Sequence, residues 1–109
     1  FEPMAGLADI ARGLGKSEEA LDYAEKILTA IEAGPLEGPD RGLWIHLVCY
    51  QVLAQTGDHR APAVIKRAHQ LLSHRAEAIS NHKFRQSYLS GVSEHREICN
   101  IWKSLLKNN

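Results

Sequence analysis

The chain has 109 residues, 44% of them hydrophobic and 24% charged, and its formal net charge is zero. That is enough for one domain with its own core. No apolar run reaches membrane-spanning length, no signal peptide opens the chain, and two cysteines, Cys49 and Cys99, make no disulfide framework, so a cytoplasmic protein is expected.

The elements follow from apolar spacing and its breakers. Helix 1 is expected from about Pro3 to Leu14, with Pro3 tolerated in the first turn and Gly13 and Gly15 ending it. Ser17 reads as the cap of helix 2, where Ala20, Leu21, Ala24, Ile27, Leu28 and Ile31 form one stripe and Asp22 precedes Lys26 by four. The run Gly34-Pro35-Leu36-Glu37-Gly38-Pro39-Asp40 is a breaker loop. Helix 3 is expected from about Arg41 to Gln55, with Leu43, Trp44, Leu47, Tyr50 and Leu53 apolar at helical spacing. Gly57-Asp58 then repeats the turn chemistry of Gly15-Lys16.

Helix 4 carries Pro62 in its first turn and a stripe of Val64, Ile65, Ala68, Leu71, Leu72, Ala76 and Ile79, and is expected to reach Ser80. Asn81 caps a short fifth helix containing Phe84, Tyr88 and Leu89. Gly91 breaks it, and Ser93 caps a last helix with Ile98, Ile101, Trp102, Leu105 and Leu106 inward. No segment alternates with period two, so the expected fold is all-α, about five to six helices in one domain over residues 1–109. Residues 1–33 form a first hairpin, 41–80 a second, and 81–109 capping helices.

The spacing in residues 4–28 is similar to the tetratricopeptide repeat, a helix–turn–helix unit of 34 residues whose small side chains let the paired helices approach closely. Leu7, Ala8 and Ala11 precede Gly15; Ala20, Leu21, Tyr23, Ala24, Ile27 and Leu28 follow it. The whole chain resembles the C-terminal helical repeats of large bacterial regulators, in which an AAA- or STAND-type ATPase is joined to a cyclase, a kinase or a transcriptional activator. The runs Ala20–Leu28, Cys49–Leu53, Ala68–Leu72, Phe84–Leu89 and His95–Ile98 carry that resemblance. It implies a non-catalytic interaction or scaffold segment, or an intramolecular sensor restraining an upstream ATPase, cyclase or activator. The first residue, Phe1, reads as a cut into a longer protein, and Lys107-Asn108-Asn109 as a polar natural end.

Chemistry-bearing residues are sparse. His46 with Cys49, and His95 with Cys99, have the i,i+3 and i,i+4 spacing of zinc ligands, but nothing in the sequence brings the pairs together, and Cys99 sits next to the apolar Ile98 stripe, where cysteine is a small hydrophobe. No Gly-rich phosphate loop or paired-carboxylate site is present, so neither catalysis nor a cofactor or metal is expected. Residues 1–59 hold 4 Lys/Arg against 10 Asp/Glu, and residues 60–109 hold 9 against 3. The basic residues of the second half read as solvated helix faces, which argues against nucleic acid.

By analogy with repeat geometry, the first helix of each pair lines a groove for a protein or peptide. That assigns Asp9, Arg12, Trp44, Leu47, Val48 and Gln51 as protein-binding, with Trp44 as anchor and Trp102 in the core. A carboxylate clamp is not expected, because Ala5, Asp9 and Val48 replace its Lys and Asn. Since an interior repeat hides its first helix against a predecessor, Met4, Leu7, Ile10 and Leu14 should be partly bare and favour a homodimer through the first hairpin.

Overall fold

The computed structural model describes residues 2–33 and 42–107, and among them it contains six helices and no strand. They are α1 (Glu2–Gly13), α2 (Ser17–Ala33), α3 (Gly42–Gln55), α4 (Ala61–Glu77), α5 (His82–Gly91) and α6 (Ser93–Lys107). The breaker loop from Gly34 to Asp40, and Arg41 with it, lies outside the described residues.

Two turns set the architecture, and both close in the same way. After α1, the Lys16 N–H donates to the Ala11 carbonyl at 2.9 Å and Gly15 N–H to Arg12 at 3.2 Å. After α3, Asp58 N–H donates to Leu53 at 2.9 Å and Gly57 N–H to Ala54 at 3.2 Å. This is the Schellman pattern, which needs a left-handed residue just past the helix; Gly15 (φ +75°) and Gly57 (φ +71°) supply it. Each turn folds the next helix back, so α1 packs on α2 and α3 on α4.

A few helix ends differ from expectation. The Ala20 and Arg96 N–H groups donate to the Lys16 and Val92 carbonyls, so Ser17 and Ser93 are first helical residues rather than caps. α1 ends at Gly13, before Leu14, and α4 ends at Glu77, short of Ser80. Asn81 does cap α5, accepting from Phe84 N–H at 3.1 Å. At the start of α4, Asp58 accepts from the Arg60 backbone and guanidinium, and Arg60 Nη2 reaches Glu25 on α2 at 3.0 Å. These Arg60 contacts hold the Asp58 carboxyl well below the usual carboxylate range.

The helices bury two apolar clusters. The first joins Ala5, Ala8 and Ala11 of α1 and Ala20, Ala24, Ile27 and Ile31 of α2 to Ile45, Val48, Cys49, Val52 and Leu53 of α3. The second joins Leu43 and Leu47 of α3 to Ile65, Ala68 and Leu72 of α4 and Ile98 of α6, with Trp102, Ile101 and Leu105 packed against it. α3 therefore contributes to both, and Tyr50 touches both. A helix apolar nearly all the way round belongs in the centre, and α3 contacts α1, α2, α4 and α6. α5 buries no residue fully, and Leu106, expected inward, is 55% exposed.

Candidate interaction surface

α1 has an inverted apolar pattern. Its alanines at 5, 8 and 11 are between 0 and 5% exposed, whereas Leu7 and Ile10 are 48% and 61% exposed, and Leu14 in the turn is 66% exposed. The small residues face α2 and α3 because only they permit close helix approach, which pushes the larger apolar stripe at i, i+3, i+7 to the outside. Met4 instead packs against the first cluster. Asp9 and Arg12 lie on the same helix and pair with each other at 2.7 Å, half-buried.

The remaining residues assigned to a groove are dispersed. Leu47 and Val48 are 3% and 1% exposed and belong to the second and first clusters, so they hold the two cores and offer no surface to a ligand. The two-sided burial of α3 is the reason. Trp44 is half-buried against the first cluster. Gln51 Nε2 donates to Glu97 Oε1 at 3.0 Å, tying α3 to α6. Trp102 packs on the second cluster and stacks on His69, with ring centroids 5.4 Å apart.

The two His/Cys pairs are kept apart. Cys49 lies in the first cluster, and Cys99 packs against the second. Burial pushes the Cys49 thiol up to about 12 and the Cys99 thiol up as well, the opposite of an activated nucleophile. His46 and His95 are both buried, and each places Nδ1 on a carbonyl oxygen, Gly42 at 2.6 Å and Tyr88 at 2.7 Å. A carbonyl only accepts, so each ring carries a proton on Nδ1. His95 also packs its ring on Tyr88, with centroids 4.5 Å apart. No group of three or more His, Cys, Asp or Glu side chains with metal-binding geometry occurs among the described residues.

Among the described residues, α4 borders several clefts, and the three that follow are not lined by the residues assigned to the groove. One of about 450 Å³ lies between α4, α5 and α6, bordered by His69, Glu77, Arg85, Arg96, Cys99 and Lys103. Arg85 there donates to the Ile79 carbonyl through Nε and Nη2, at 3.0 and 2.7 Å, fixing α5 on the end of α4. A second, of about 360 Å³, lies between α3 and α4, and a third, of about 270 Å³, between α2 and α4, where Arg60 and Arg67 face Leu28 and Glu32. On α4, Arg67 and Arg75 border one cleft together with His46 and His74. The signal was present in the spacing of Arg60, Ala63, Arg67, Gln70 and His74, which is that of a single helical stripe.

No helix among the described residues is long and apolar enough to cross a membrane. Comparison of the chain with protein-family models, curated proteins and solved structures returns no match.

Proposed function

We propose that the chain is a protein-interaction module of tetratricopeptide-like hairpins with a C-terminal helical cap, the non-catalytic end of a larger bacterial regulator. The observation that carries this reading is the inversion of α1. A helix that buries alanines on one side and presents Leu7 and Ile10 on the other, with Leu14 bare in the turn beyond it, is apolar in both directions. That is the pattern of a helix lying between two layers, as in stacked helical repeats. Covering each of those three side chains contributes about 1 kcal/mol or more, enough in sum to anchor a contact. A ridge at i, i+3, i+7 spacing fits an apolar groove or a second helix on a protein partner, and one such partner is a second copy of the chain.

The test is a double substitution, Leu7→Glu with Ile10→Glu, which leaves Ala5, Ala8 and Ala11 in place and should preserve helicity. A purified partner that binds the parent chain and not the double variant supports the reading; equal binding by both overturns the α1 face as the interface. For the second-copy version, sedimentation at rising concentration should show a dimer that persists in high salt, since apolar contacts are not screened as exposed ion pairs are. A chain that stays monomeric throughout removes that version.

A further inference from the structure

We propose that the outer face of α1 docks on the same face of a second copy of the chain, antiparallel and centred on Ile10. The inference rests on the reading of α1 as an interaction surface and commits it to one occupant and one register.

The face is uncharged, and its glycines serve nothing inside the chain. Pro3, Gly6, Leu7, Ile10 and Gly13 lie on the side of α1 away from the buried alanines. Leu14, whose N–H donates to the Ile10 carbonyl at 3.0 Å, carries the helical path one residue further. The only charges between Pro3 and Leu14 are Asp9 and Arg12, which neutralise each other at 2.7 Å on one edge. Neither Gly6 nor Gly13 has a positive φ, and a Cβ added at either would meet nothing within 4 Å. Turn geometry and packing within the chain therefore do not call for glycine, which costs a helix stability against alanine. A missing Cβ on an outward face serves close approach from outside, as Ala5, Ala8 and Ala11 serve it on the inner face.

The order of the residues says what approaches. In an antiparallel helix pair centred on Ile10, positions equally far from Ile10 on either side lie level with each other. Leu14 of each copy then meets Gly6 of the other, and Leu7 meets Gly13. Each leucine enters a gap that a missing side chain deepens. On the edge, Asp9 of each copy falls nearly level with Arg12 of the other, so opposite charges meet. A parallel pair does the reverse: glycine lies beside glycine, leucine beside leucine and Asp9 beside Asp9. The face is complementary to itself in one orientation, which is the condition for a closed two-fold contact. One helix face is smaller than a standard interface, so the association is weak and concentration-dependent.

The experiment is sedimentation equilibrium of the full chain up to ~1 mM, beside Gly6→Ala, with cross-linking to read the register. The parent should dimerise reversibly. A methyl at position 6 has room in the single chain, so the Gly6→Ala monomer should melt no lower than the parent. Its dimer should weaken by ~tenfold or more, because the methyl fills the gap that Leu14 enters. In a Cys99→Ser background, Ile10→Cys should form an intermolecular disulfide on mild oxidation, whereas Pro3→Cys, far from its mate in the antiparallel register, should not. A parent that is monomeric at every concentration overturns the proposal, as does equal dimerisation by Gly6→Ala or cross-linking of Pro3→Cys in preference to Ile10→Cys. The wider reading of α1 fails on a different result, a protein partner that binds the Leu7→Glu, Ile10→Glu variant as tightly as the parent.

Discussion

The two apolar clusters solve the same packing problem with different side chains. Among the described residues the first cluster contains six alanines, on α1, α2 and α4, whereas the second contains one, Ala68, amid Leu43, Leu47, Ile65, Leu72 and Ile98. Where alanines face one another the helices can approach closely, and little volume remains to be filled. Where leucines and isoleucines meet, stability rests on the volume they occupy. The first hairpin should therefore be intolerant of growth, and the second half intolerant of truncation.

The sharpest way to break this contrast is to empty the second cluster. Leu72 is fully buried, and Leu72→Ala should cost about 2–5 kcal/mol in denaturant unfolding, read as a fall in midpoint at constant slope. In the first hairpin the opposite change applies. Ala24 is fully buried between α1 and α2, and Ala24→Leu should overpack it by about 1–3 kcal/mol. A melting temperature equal to that of the parent would show that α1 and α2 have room to spare, contrary to a close approach. α5 buries nothing fully and touches the second cluster only through the half-buried Tyr88 and Leu89, so Asn81→Ala should cost about 1 kcal/mol and speed amide exchange in α5 before it does so in α4.

The smallest effect is a pH dependence from His46, which borders the second half. Its folded pKa lies below the ordinary 6.5, so the unfolded chain binds more protons than the folded one as acid is added. Stability is fully present above about pH 6.5 and should decline as pH falls below it. Thermal melts at successive pH values would read this, and the decline should shrink in His46→Gln, while a flat profile in the parent excludes the buried neutral ring. Asp58, held low by Arg60, works in the same direction only in more acid solution, where the unfolded carboxylate begins to protonate.

Much of the architecture was legible because it depends on local rules. Gly15 and Gly57 marked two turns that close by the same hydrogen bonds, and Asn81 caps the helix it precedes. The apolar stripes of α2 and α4 follow from residues three and four apart. α3 was harder. Leu43, Trp44, Leu47, Tyr50 and Leu53 make an acceptable single stripe, yet Ile45, Val48, Cys49 and Val52 fill the opposite side. The repeat analogy nevertheless assigned Leu47, a member of that stripe, and Val48 to a groove, whereas each belongs to a different core. Periodicity cannot reveal that a helix has neighbours on both sides unless the polar face is seen to be missing. The α4 clefts were legible only in part: the spacing places Arg67 and Arg75 on one stripe, but their meeting with His46 is a tertiary event between helices.

The double duty of α3 has a consequence for how the chain comes apart. In a simple array of repeats, one end can fray while the rest holds, because each unit touches only its neighbours. Here the two halves share a helix that lends Val48 and Val52 to one side and Leu43 and Leu47 to the other, with Tyr50 touching both. Loss of α1 and α2 strips one flank of α3, and loss of α4 and α6 strips the other. A protease nick in the exposed turn around Gly57 would leave neither fragment with a complete core, so the pieces should remain associated or unfold together. The chain should melt in one transition, α5 excepted, and behave as a single cooperative unit although its first four helices pack as two antiparallel pairs.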